Sequence, residues 1–195
     1  MIIGSVAVAA HTDHGASLDL NRAHAFDDTQ RLPDIDLLVP REAIPRVQDY
    51  AAQARAASVP LKVDTAGAQL YIDYRPHEPY SYLTHRNLNF PVRSELFAPQ
   101  TAVLFSHPIK TLDPHTLLHT FGTIGGVVRK KDVPKMEALS AAIVSGAAPT
   151  RFSASDVGGF DQYRRVREEK YPLFIRSKAR AGRGPRRGGD RKSVV

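Results

Sequence analysis

The stretch Pro33-Asp34-Ile35-Asp36-Leu37-Leu38-Val39-Pro40 places two carboxylates at the head of an apolar run that stops on a proline. The run predicts a buried strand over Ile35–Val39, closed by Pro40 because proline has no N–H for the next ladder bond. Residues i and i+2 of a strand point to one face, so Asp34 and Asp36 stand side by side. Like charges at that spacing repel unless a cation lies between them. Mg²⁺ suits such a pair, since it takes one or two protein carboxylates and fills its shell with water and substrate phosphates. A third carboxylate on a neighbouring strand would admit a second ion, and Asp73, between Ile72 and Tyr74, is the candidate. By itself the Asp-x-Asp pair is a weak signal and reads more readily as a solvated strand edge.

On the N-terminal side, Ile2-Ile3 runs into Gly4-Ser5 and then Val6–Ala10, an apolar stretch able to open a helix, while residues 11–30 are polar, rich in His and Asp, and read mostly as a loop or insertion. On the C-terminal side, Ile44, Val47, Tyr50, Ala51 and Ala54 recur at helical spacing and predict a helix from about Glu42 to Ala57, with Pro45 in its first turn. Strands are expected at Leu61–Thr65, Gln69–Tyr74 and Thr101–Phe105, with a hairpin around Leu88–Val92. Asp113-Pro114 reads as an N-cap and first helical residue, opening a helix to about Thr120 that Gly122, Gly125 and Gly126 close. Asp132 is expected to cap a helix carrying Met136, Leu139 and Ile143 on one side, with Gly146 after its end. Tyr163–Lys170 reads as a short charged helix.

Gly4-Ser5 after Ile3, the apolar-flanked Asp34-Ile35-Asp36, and the later apolar-flanked Ile72-Asp73-Tyr74 follow one another with a helix between the second and third elements. In that order and with those flanking residues, the chain resembles the nucleotidyltransferase superfamily of DNA polymerase β fold. Arg129-Lys130-Lys131-Asp132 before an apolar helix is similar to stand-alone bacterial members, abortive-infection toxins among them. The resemblance spans about residues 2–145. It implies an α+β fold, a mixed sheet flanked by helices, with C-terminal helices and a disordered basic tail. The expected division is a nucleotidyltransferase-like domain over 1–150, a short extension over 151–175, and an Arg/Gly-rich tail over 176–195.

The resemblance also implies a chemistry. Asp34, Asp36 and Asp73 would hold two Mg²⁺ ions, and an acceptor hydroxyl would attack the α-phosphate of an NTP with release of pyrophosphate. Gly4 and Ser5 would bind a terminal phosphate at a helix N-terminus, Lys130 or Lys131 would neutralise triphosphate charge, and Asp73 would help deprotonate the acceptor. An antitoxin partner is part of the same expectation. Two departures accompany it. Ser5 and Asp34 are separated by more than the family's usual ten or so residues, and Gly15-Ala16-Ser17 is a rival phosphate turn without an apolar strand before it. The family's domain also has a helix and a full strand before Gly-Ser, so this chain is expected to be short at its start.

With 195 residues, the chain suits one well-packed domain. It has no cysteine, which removes disulfides, thiolate metal sites and a cysteine nucleophile, and fits a cytoplasmic setting. No apolar run is long enough to cross a bilayer, and Met1–Ala10 lacks the basic start of a signal peptide. The net charge is +7; eight of 27 Lys and Arg and one of 20 Asp and Glu fall in 176–195, which leaves 19 of each sign in the body. The basic tail, without aromatic residues or apolar periodicity, reads as disordered and suited to non-specific contact with RNA phosphates. His115 and His119 share a helix face, but the glutamate of H-E-x-x-H is missing, and no G-x-S-x-G elbow supports a hydrolase. Two further functions stand beside nucleotidyl transfer: a catalytically degenerate nucleotide- or RNA-binding protein of the same fold, and a basic-tailed interaction protein without a nucleotide site.

Overall fold

A computed structural model describes residues 1–12, 24–27, 30–32, 35–59, 63, 72–85, 88–121 and 132–170. Within them the chain runs β1 (Ile2–Ile3), α1 (Gly4–His11), β2 (His24–Asp27), β3 (Gln30–Leu32), β4 (Asp36–Leu37), α2 (Ile44–Ala56), β5 (Ile72–Asp73), β6 (Tyr80–His85), β7 (Leu88–Arg93), β8 (Gln100–Leu104), β9 (His107–Thr111), α3 (Pro114–Thr120), α4 (Val133–Val144) and α5 (Gly158–Lys170). The fold is α+β.

The strands of the first sheet lie in the order β4-β1-β9-β8. β1 pairs antiparallel with β4 and parallel with β9, and β8 with β9 is antiparallel, so the sheet is mixed. A second, antiparallel sheet has the order β5-β6-β7, and β2 pairs with β3 alone. α1 is apolar on nearly every side and buries Val6, Ala7, Val8, Ala9 and His11. A helix with that composition must be enclosed, and it packs on the first sheet, α3 and α4.

One apolar core joins both sheets. It includes Ile3, Leu38, Ile72, Leu83, Leu112, Leu117, Leu139 and, near its centre, Phe97. The Phe97 ring lies 5.7 Å from Tyr74 and 5.8 Å, edge-on, from Phe160. Val157, Phe160 and Tyr163 of the stretch expected as a short extension are buried in this same core. α5 therefore begins at Gly158, earlier than the helix expected from Tyr163, because its Phe160–Tyr163 stripe has a core to face.

Several expectations hold. α2 covers the anticipated helix, entered through a 3₁₀ turn at Arg41–Ala43. Its inward positions Ile44, Val47, Ala51 and Ala54 are spaced three, four and three apart, and Tyr50 falls beside that seam and is exposed. Asp113 caps α3 by accepting the His115 N–H, and Gly146 at φ +76° ends α4 with its N–H on Ile143 O.

Others are corrected. The 11–30 region, expected mostly as loop or insertion, holds β2 and the last residue of α1, and β3 begins at Gln30; residues 13–23, 28 and 29 lie outside the described residues. The strand at Ile35–Val39 is not buried: Ile35 and Leu37 are 50% and 46% exposed, because β4 is short and, among the described residues, lies at the sheet edge, and only Leu38 enters the core. β9 was not anticipated. Its two-residue turn from β8 is Phe105-Ser106, both at positive φ, without the Gly or Asn that usually announces such a turn. Asp132 stands at the start of α4 but makes no capping bond, and its backbone is helical (φ −92°, ψ −21°) where a capping residue is extended. The Leu61–Thr65 strand apart from Val63, the first half of Gln69–Tyr74, Gly122, Gly125, Gly126 and the basic tail lie outside the described residues.

Candidate functional site

The turn between β1 and α1 is where sequence signals and geometry meet. Ile3 is extended, and Gly4 takes φ +68°, a left-handed conformation that side chains disfavour. The chain can then enter α1 at once. Across the sheet Ile3 is paired with Asp36 and Ile2 with Leu37. Reciprocal 2.9 Å bonds between the backbones of Met1 and Leu38 fix that register. The Asp36 carboxylate consequently lies over Gly4, so closely that any Cβ there would overlap its Oδ2. Glycine is required twice at this position, by backbone angle and by the carboxylate.

Ser5 follows in the first turn of α1, which begins with no side-chain cap. Its hydroxyl receives a 2.6 Å bond from the Nζ of Lys135, from the first turn of α4. The same Nζ is 3.6 Å from Asp132 Oδ1, and Asp132 is only 3% exposed. Nothing in the local sequence marks Lys135, whereas Lys130 and Lys131 are the expected cations. The place of Lys135 follows from Pro134 in the first turn of α4 and from the packing of α4 on α1.

Asp73 is positioned by the second sheet, where Ile72 pairs with Leu83 and Asp73 with Tyr82. Its Oδ2 accepts from Arg75 Nη2 at 2.8 Å and Nε at 3.0 Å. Arg75 also bonds Glu78 and lies 4.8 Å over the Tyr82 ring. The Asp73 bond first, and then that to Glu78, hold the Arg75 guanidinium above its ordinary pKa. A cleft of about 300 Å³ is lined by Arg41, Glu42 and residues 73–78. Arg75 is thus a second residue the sequence did not single out, although it stands two positions after Asp73.

Of the residues expected at the site, Gly4, Ser5 and Asp36 are together, and Asp73 is described with Arg75 and the Arg41–Glu42 turn. Asp34, Lys130, Lys131 and the rival Gly15-Ala16-Ser17 turn lie outside the described residues. Among the described residues no cluster of three His, Cys, Asp or Glu has metal-binding spacing. The Asp36 side chain is exposed, and its carboxylate oxygens are of the kind a hard cation takes.

The histidines have other positions. His11 ends α1 with Nε2 3.1 Å from Leu112 O, and burial lowers its pKa against the opposing effects of that bond and of Asp113. His119 Nδ1 is 3.3 Å from Asp161 Oδ1, and burial again lowers its pKa. Among the described residues no helix is long and apolar enough to cross a membrane. Compared with known proteins, the chain matches no family model, no curated protein and no solved structure.

Proposed function

We propose that this chain is a metal-dependent nucleotidyltransferase that passes a nucleotide from an NTP to a hydroxyl acceptor on RNA, protein or a small molecule. The observation that carries the reading is the contact of Gly4 with Asp36, which brings the glycine-serine turn and the Asp-x-Asp strand together across 32 residues of chain. A helix start whose N-cap residue, Ile3, offers no side-chain cap, beside a carboxylate, is an arrangement suited to a nucleotide's phosphates and their counter-ion.

In this reading Asp34 and Asp36 would hold Mg²⁺, with Asp73 sharing one ion. The metal would supply charge neutralisation on the phosphates and alignment of the reacting oxygens. Ser5 donates its hydroxyl hydrogen to a terminal phosphate oxygen, and the first-turn amides of α1 do the same. Asp73 receives the acceptor's proton on Oδ1, while Arg75 retains Oδ2. Residues 176–195 add non-specific attraction for an RNA acceptor.

Incubation with labelled NTPs and Mg²⁺ tests the reading. Label transfer is expected from the native chain and loss of it from Asp36→Asn and Asp34→Asn. Transfer that survives both substitutions would remove these residues from the site. The Asp73–Arg75 ion pair favours a second reading, a nucleotide-binding protein of the same fold without turnover. Calorimetric NTP binding that is indifferent to Mg²⁺, with no label transfer, would select it.

A further inference from the structure

We propose that the cavity between α3, α4 and α5 is a second binding site, for a small monoanion with an apolar body. None of its described lining residues belongs to the Gly4–Asp36 turn or to the Asp73 cleft, so the site stands apart from the nucleotidyl-transfer reading. The cavity holds about 380 Å³, within the about 300–1,000 Å³ that small-molecule sites occupy. Leu118, Val133 and Met136 give it an apolar wall. Leu118 and Met136 pack against the core behind that wall, whereas Val133 is 41% exposed and leaves apolar surface in water for a ligand to cover.

The positive charge in the lining is Arg164, from α5. Its Nη2 donates to Phe121 O at 3.2 Å, and its Nη1 is 3.6 Å from Asp161 Oδ1, beyond hydrogen-bond reach. Its Nε is buried and meets no acceptor among the described residues. A guanidinium carries five N–H groups in a fixed fork, so this one is short of acceptors beside an apolar wall. A carboxylate or sulfonate supplies several acceptor oxygens at once, in the geometry that matches the fork. His119 lines the same cavity, with Nδ1 3.3 Å from Asp161 Oδ1. Burial holds its pKa below the ordinary 6.5, so at neutral pH the imidazole adds no second positive charge. Glu137, exposed on α4 and also in the lining, repels polyanions. One positive group and one opposing carboxylate set the ligand's charge at a single negative.

The experiment titrates the full chain with two fluorescent probes, anilinonaphthalene sulfonate and phenylnaphthylamine, which share an apolar body and differ by the sulfonate. Both are expected to bind the native chain, the anion more tightly. Octanoate should displace the anionic probe where octanol at equal concentration does not. Arg164→Met is expected to weaken the anionic probe about tenfold or more, the size of one charge-assisted bond, and to leave the neutral probe unchanged. Arg164→Lys should restore part of the loss. Ser140→Trp, at an exposed position of the lining, puts a large ring into the cavity and should lower the affinity of both probes. Equal loss of both probes in Arg164→Met would mean that Arg164 only holds the helices together, and it overturns the anion assignment; so does displacement by octanol as strong as by octanoate. Binding that Ser140→Trp leaves intact lies elsewhere on the chain and overturns the cavity assignment, as does a native chain that binds neither probe.

Discussion

Replacing Gly4 with alanine should combine two costs that can be separated. The first is conformational: at φ +68° an alanine is disfavoured by about 1–2 kcal/mol. The second is steric, since the new Cβ would overlap Asp36 Oδ2 and crowd the rest of that side chain. Driving the carboxylate off its rotamer adds about 0.5–1.5 kcal/mol, and losing its position at the start of α1 about 0.3–1 kcal/mol. Gly4→Ala is then expected to destabilise by about 2–4 kcal/mol, which lowers Tm by about 4–15 °C for a chain of this size.

Gly146 supplies the internal control. It has φ +76° with nothing within 4 Å of a built Cβ, so Gly146→Ala should show the conformational part alone, about 1–2 kcal/mol. In an Asp36→Ala background the Gly4→Ala cost should fall to the same value. Urea unfolding of the two single variants and the double variant yields the coupling, expected at about 1–2 kcal/mol. Additivity within about 0.5 kcal/mol would refute the claim that Asp36 lies over Gly4.

Two more predictions concern the body of the fold. Phe160→Ala should cost about 3–5 kcal/mol by urea unfolding, because Phe160 is fully buried and meets Phe97 edge-on; a loss below about 1 kcal/mol would show that α5 is not part of the core. Stability should also fall from pH 7.5 to 5.5. Burial lowers the pKa of His11 and His119 below the ordinary 6.5, so above that pH both states are neutral, and below it the unfolded chain takes up protons first. The carboxylate held low by Ser153 and Arg93, Asp156, acts only under its ordinary 3.8 and leaves this window untouched. A urea midpoint that is flat or rises towards pH 5.5 would contradict the burial of these imidazoles, and His11→Gln should flatten part of the slope.

What could be read from sequence was the local chemistry. Asp113-Pro114 announced its helix because a cap and a first-turn proline act within four residues, and Gly146 marked a helix end for the same reason. The apolar stripe of α4 and the hairpin near Leu88 were legible from their periods. The edge position of β4 was not, because Leu37-Leu38-Val39 looks the same whether one or two neighbours flank the strand. β9 was hidden by Pro108 and by a turn whose left-handed residues, Phe105 and Ser106, give no compositional warning. At the site, Gly4, Ser5 and Asp36 were legible as residue types. Their contact depended on strand pairing, and Lys135 depended on the packing of α4 against α1. A side chain recruited across 130 residues leaves no mark on local sequence.

The two ends of α1 are fastened to distant parts of the chain, Ser5 to Lys135 and His11 to the carbonyl of Leu112, 101 residues on. On a ribosome these fastenings must wait. At about 5–20 residues per second, roughly 6–26 seconds pass between synthesis of Ser5 and of its partner. For much of that interval a largely apolar helix lacks the β8–β9 strands, α3 and α4 that cover it. The turn that would receive a nucleotide is therefore among the last features to exist, and a half-made chain has a greasy segment to shield before it has any site to use.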